Sequence, residues 1–213
     1  MKKKMLSIFL ISLICICSFN ISCFAAVDEV KLFISSDFGT DTYAVQATTY
    51  AANTFNKLGY SIRKTSLIFH YSVKGSRSTV LNYIQESGNN YAFYVFAHAN
   101  PNLFAMTSGD SSSYIYPSDI TGGWHLVFLN GCSAMATTSF ADAFHTTGYS
   151  NRASLGWYLD VTNAASAEWW GYFYEAAGTM NLRDACLEAA SHCSNSTPIR
   201  IFGDTSWYGW AWT

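Results

Sequence analysis

Tyr91-Ala92-Phe93-Tyr94-Val95-Phe96-Ala97-His98 is an unbroken apolar, aromatic and β-branched run that ends on a histidine. A run of this length without polar alternation predicts a strand buried on both faces, as in a parallel sheet. A second such run, predicted over 124–129, leads into Asn130-Gly131-Cys132. The polar, Gly/Ser-rich stretch between them predicts a surface hairpin built from 103–106 and 114–116.

Outward from this centre, strand and helix signals alternate. Residues 29–34 read as a first strand. The Thr40-Asp41-Thr42 cluster then offers an N-cap for a helix to about residue 58, stopped by Gly59. One or two strands are predicted within 60–71, and a short helix over 79–86 with Val80, Leu81 and Ile84 on one face. Downstream come helices over 139–144, 164–177 and 182–192, and strands over 153–158 and 198–202. The alternation predicts an α/β fold with a mainly parallel sheet flanked by helices on both faces and joined by right-handed crossovers. Neither an internal repeat nor a second domain is evident.

The amino terminus has its own logic. Lys2, Lys3 and Lys4 precede an apolar run of roughly 15 residues, short of the about 20 that a membrane span needs, and small residues follow at Ala25 and Ala26. This predicts a cleaved signal peptide over 1–25, a single domain over 26–213 and a secreted protein. Ile21-Ser22-Cys23 also resembles a bacterial lipoprotein cleavage site, so lipidation at Cys23 is the one route to a membrane. Losing three lysines leaves nine basic against fourteen acidic residues, a net charge of −5. With the basic residues scattered, nothing predicts a nucleic-acid partner. About 190 residues suffice for one well-formed core.

Beyond the signal only Cys132, Cys186 and Cys193 remain, so at least one thiol is free. A free thiol in an oxidising compartment invites a chemical explanation. Seven residues apart on one helix, Cys186 and Cys193 would be roughly 10 Å apart, beyond disulfide reach. Ligands and nucleophiles of open α/β sheets gather beyond the carboxyl ends of the strands. His98 and Cys132 both fall there, and in neighbouring strands they would face each other across about 4.8 Å. An imidazole beside a thiol favours the thiolate nucleophile and can protonate a leaving amine. Gly131 permits a sharp turn and close substrate approach, aiming the Cys132 N–H at an oxyanion. His70, His125, His145 and His192 have no zinc-protease spacing, and neither a G-x-S-x-G elbow nor a phosphate loop occurs. No metal or cofactor is called for.

The segments Tyr94-Val95-Phe96-Ala97-His98-Ala99 and Leu126-Val127-Phe128-Leu129-Asn130-Gly131-Cys132-Ser133 resemble the His-Gly and nucleophile strands of the caspase-like cysteine peptidase superfamily, closest to CHAT domains and gingipain-type catalytic domains. Ala153-Ser154-Leu155-Gly156-Trp157 with Asp160 is similar to the CHAT strand after the nucleophile, and Ile201-Phe202-Gly203-Asp204 to a terminal Gly-Asp segment. The resemblance spans about 91–204. It implies a three-layer caspase-like sandwich and a peptidase that cuts peptide or protein substrates through a thioester acyl-enzyme. His98 and Cys132 would be catalytic, with the N–H groups of Ala99 and Cys132, next to Gly131, as the oxyanion hole. The family's usual glycine is Ala99 here, which donates equally well at negative φ but would be strained at positive φ. Asp160 either lines the primary specificity pocket, selecting Lys or Arg, or caps the next helix through Thr162-Asn163. Asp204 reads as a turn residue. The ending Trp207-Tyr208-Gly209-Trp210-Ala211-Trp212 keeps a second function open, an inactive extracellular module that binds a protein or glycan; packing against the sheet edge is its alternative reading.

Overall fold

The computed structural model describes residues 29–62, 76–85 and 91–211. The expected signal segment with Cys15, Cys17 and Cys23, most of the strands expected within 60–71, His70 and Trp212 lie outside the described residues. Along the chain come β1 (Glu29–Ile34), α1 (Thr42–Lys57), α2 (Arg77–Ile84), β2 (Tyr91–Phe96), β3 (His98–Asn100), β4 (Leu103–Ala105) and β5 (Tyr114–Ile115). They are followed by β6 (Leu126–Asn130), α3 (Ser139–Ala143), β7 (Ala153–Trp157), α4 (Asn163–Ala176), α5 (Leu182–His192) and β8 (Ile199–Gly203).

The architecture is α/β with a mixed, mostly parallel sheet in the order β1-β2-β6-β7-β8. The first four strands are parallel and β8 returns antiparallel along β7. The two runs that lead to His98 and Cys132 are therefore direct neighbours, and their register pairs Phe96 with Asn130. Successive strand residues point to opposite faces. Ala92, Tyr94 and Phe96 accordingly enter one core with residues of α1, α4 and α5. Phe93 and Val95 enter a second core with Val80 and Ile84 of α2, Phe140 of α3 and Phe104 of β4.

Local chemistry sets the helix ends. The Asp41 carboxylate accepts the Ala44 N–H at 2.8 Å to start α1, and Gly59 follows its last turn at φ 92°. Thr162 caps α4 by accepting the Ala165 N–H, and Asn181 caps α5 by accepting that of Asp184. The inward face of α1 is built on Ala44, Ala47 and Ala51, whose small side chains let it lie close against α4, and on Phe55, whose ring meets Trp170. Lys57 then ties the pair by donating to the Tyr174 and Glu175 carbonyls at 2.7 and 2.9 Å, a cation at a helix C-terminus. Between the layers sit Phe128, Trp157, Trp169, Trp170 and Phe173, with Trp169 stacked on Phe173 at 4.6 Å.

The expected hairpin is larger than the sequence indicates. His98 itself opens β3, which pairs with β4 and then β5 as a separate three-stranded antiparallel sheet. No helix among the described residues is long and apolar enough to cross a membrane.

Candidate active site

Two parallel strands in register deliver the site. The last β2–β6 pair is Phe96 with Asn130, closed by the Ala97 N–H donating to the Asn130 carbonyl at 3.2 Å. His98 and Cys132 each lie two residues beyond that pair, on strands about 4.8 Å apart. Both line one narrow cleft of about 30 Å³, with Phe38, Phe96 and Ala97 beside His98, and Gly131, Val161 and Asn163 beside Cys132. Asn130 and Ser166, both buried, complete it.

His98 is exposed, and its ring lies 4.5 Å from that of Phe38, which meets Phe96 edge-on at 5.0 Å. These aromatic contacts limit the swing of the imidazole. Cys132 is a half-buried free thiol that donates to the Val161 carbonyl at 3.5 Å. No hydrogen bond joins it to His98 among the described residues. The thiol is therefore held by the β7–α4 loop in this arrangement.

The turn carrying the thiol is pinned to the exit of β7. Ser133 takes the left-handed conformation at φ 55°, its N–H donates to the Leu159 carbonyl, and its hydroxyl donates to the Asp160 carboxylate, each at 3.1 Å. The Ala134 and Met135 N–H groups go to the Gly131 and Trp157 carbonyls. The Cys132 N–H, by contrast, has no acceptor among the described residues.

Gly131 is needed for a reason the sequence does not show. A Cβ there would run into the Ala97 carbonyl oxygen and come within 2.6 Å of the Ala99 Cβ, so the two strand exits touch at this point. Its own φ is not left-handed; Ser133 takes that conformation instead. Ala99 pairs with Phe104 in the small sheet and is not among the positive-φ residues, so its alanine is unstrained.

Asn130, which sequence reading left without a role, anchors the cleft from behind. Its amide donates to the Tyr94 hydroxyl at 3.0 Å, and its carbonyl accepts from Trp157 Nε1 at 2.7 Å and Ser166 Oγ at 2.9 Å. Burial pushes the Tyr94 hydroxyl up, so it stays a neutral hydrogen-bonding group. Phe38, Val161 and Asn163 also escaped sequence reading, since each is brought in by a loop or helix start that carries no motif.

Asp160 is exposed beside the cleft, joined to it through Ser133, and the helix-cap role falls to Thr162. Asp204 accepts the Asn151 and Ser206 N–H groups at 2.9 and 3.1 Å and the Ser206 hydroxyl. Those bonds hold its carboxyl below the usual carboxylate range and make it a turn residue. His125 is buried and held at about 4, by burial first and the Arg152 charge second. His145 is exposed, while His192 pairs with Glu188 at 2.9 Å.

No family model and no curated protein matches this chain. Cys186 and Cys193 are free thiols, and burial pushes both up, which leaves them poor nucleophiles. No cluster of His, Cys, Asp and Glu able to hold a metal occurs among the described residues. In the aromatic ending, Trp207 packs against the α1–α4–α5 core, whereas Tyr208 and Trp210 are 45% and 44% exposed.

Proposed function

We propose that the chain is a secreted cysteine endopeptidase on a three-layer caspase-like sandwich, with His98 and Cys132 as its catalytic pair. The observation that carries this reading is their equal offset beyond the Phe96–Asn130 pair of two adjacent parallel strands, inside one cleft. In the proposed cycle the thiol turns from the Val161 carbonyl to His98, which takes the proton. The thiolate adds to the scissile carbonyl carbon, and the oxygen that gains the electron pair is held by the N–H groups of Cys132 and Ala99, with Gly131 leaving room for it. His98 then gives its proton to the leaving amine as the C–N bond breaks. Water, deprotonated by His98, hydrolyses the thioester and restores the thiol. Asp160, one residue before the cleft-lining Val161, supplies a negative charge suited to Lys or Arg before the cut.

The test is Cys132→Ala. Peptide hydrolysis, read on a peptide library by mass spectrometry, is expected to vanish while the melting temperature stays nearly unchanged. In the unmodified chain iodoacetamide should label Cys132 well before Cys186 or Cys193. Full hydrolysis by the variant, or equal labelling of the three thiols, would end the proposal. One observation favours a second reading, an inactive binding module for a protein or glycan on the same fold: the Cys132 thiol is hydrogen-bonded to Val161 and not to His98.

A further inference from the structure

The turn that carries Cys132 is laced to the exit of β7 bond by bond. The Met135 N–H donates to the Trp157 carbonyl at 2.9 Å, the Ser133 N–H to the Leu159 carbonyl and the Ser133 hydroxyl to Asp160 Oδ1, each at 3.1 Å, and the Cys132 thiol to the Val161 carbonyl at 3.5 Å. All the acceptors but one are backbone carbonyls, which a side-chain substitution leaves in place. The exception is the Asp160 carboxylate, and the residue that reaches it, Ser133, is the only one in this set bound twice.

Ser133 also carries the backbone conformation that makes the turn. The Ala134 N–H donates to the Gly131 carbonyl at 3.3 Å, so Cys132 and Ser133 are the central residues of a tight turn. At φ 55° Ser133 holds its second central position in the left-handed region, a place that glycine or asparagine ordinarily takes because other side chains are strained there. Serine gives up that ease and supplies a hydroxyl whose partner is Asp160. Strained residues persist where the surrounding structure holds them, and they gather at functional sites.

A movement at one central residue of a turn carries the other with it, and here the other is Cys132, whose N–H has no acceptor among the described residues. We propose that Ser133 is a positioning residue for the nucleophile: its hydroxyl, anchored on Asp160, holds the turn that sets the Cys132 thiol and N–H in the cleft. The inference rests on the reading of Cys132 as the nucleophile, and it gives Asp160 a task besides its charge. The carboxylate suited to a basic side chain also steadies the residue that attacks beside it. A serine with a merely structural role would give way to glycine without loss, since glycine relieves the left-handed strain.

A library peptide cut by the unmodified chain is synthesised with arginine and with glutamine before the cut, and kcat and KM are measured on both, with amide exchange over 131–136 read by mass spectrometry. Ser133→Gly is expected to keep the melting temperature within about 2 °C, because the relieved φ offsets the lost hydrogen bond. It should nonetheless lower kcat about tenfold on both peptides with KM little changed, and speed exchange over 131–136. Ser133→Asn, at ease at positive φ and able to donate to Asp160, should regain most of the lost kcat. Asp160→Ala should lower kcat on the glutamine peptide to a like degree, and the double variant should fall no further than the worse single one. Full kcat or unchanged exchange in a folded Ser133→Gly chain, or losses that multiply in the double variant, would overturn the inference and leave the catalytic pair standing. If Ser133→Gly does not fold, unchanged kcat of Asp160→Ala on the glutamine peptide decides against it. A library with no cut peptide, or full activity in Cys132→Ala, would instead fell the reading beneath it.

Discussion

A methyl group at position 131 has nowhere to go between the Ala97 carbonyl and the Ala99 side chain. Overpacking of this kind costs about 1–3 kcal/mol, so Gly131→Ala should lower stability by that order and slow alkylation of Cys132 by shifting its turn. Thermal melts and labelling rates check this; no change in either would mean that the strand exits have slack. At this scale the sequence is informative where a side chain's chemistry and its place at a strand end coincide, as for His98 and Cys132. It is silent where a residue acts through partners distant in the chain. Asn130 reads as the polar end of an apolar run, and only the fold brings Tyr94, Trp157 and Ser166 to its amide. Val161 is equally unreadable, because what it offers the thiol is a carbonyl that every residue possesses.

Among the elements, α4 has two unlike sides. Its inner side supplies Trp169, Trp170 and Phe173 to the core, while its outer side keeps a mid-helix glycine, Gly171, where a Cβ would meet the Tyr50 ring only at 3.5 Å, an ordinary contact. Gly171→Ala is therefore expected to stabilise the protein by up to about 1 kcal/mol. That corresponds to a rise of roughly 2–4 °C in melting temperature, measurable by circular dichroism. A fall would show that the close-fitting α1–α4 interface tolerates nothing there. The long helices and the buried strands are legible in the sequence because capping residues and apolar periodicity agree over many positions. The small sheet is legible only in part: the sequence places its β4–β5 hairpin. The third strand, β3, is three residues long, too short for a period to show, and His98 belongs to the pattern of β2 and to β3 at once.

Across the whole molecule, acid sensitivity begins at a group remote from the cleft. His125 has a folded pKa of about 4 against 6.5 when free in the chain. Between those values the unfolded state takes up a proton that the folded state refuses, so its contribution is complete above pH 6.5 and is lost as pH falls towards 4. Asp142 and Asp204, both held below the usual carboxylate range, contribute a further loss at lower pH as they protonate. Denaturant melts from pH 7 to 4 should record falling stability, and His125→Gln should flatten that decline; an unchanged slope would assign it elsewhere. The α/β architecture itself follows from the alternation of signals along the chain, whereas the antiparallel direction of β8 does not, since a strand's apolar pattern is the same read from either end. Every pairing in the main sheet joins segments separated by intervening helices or hairpins. Such non-local contacts form slowly during folding. The Cys132 and His98 side chains consequently stay strangers until β2 and β6 have zipped to their last pair, so the cleft that both line does not exist on a nascent chain until the scaffold is complete.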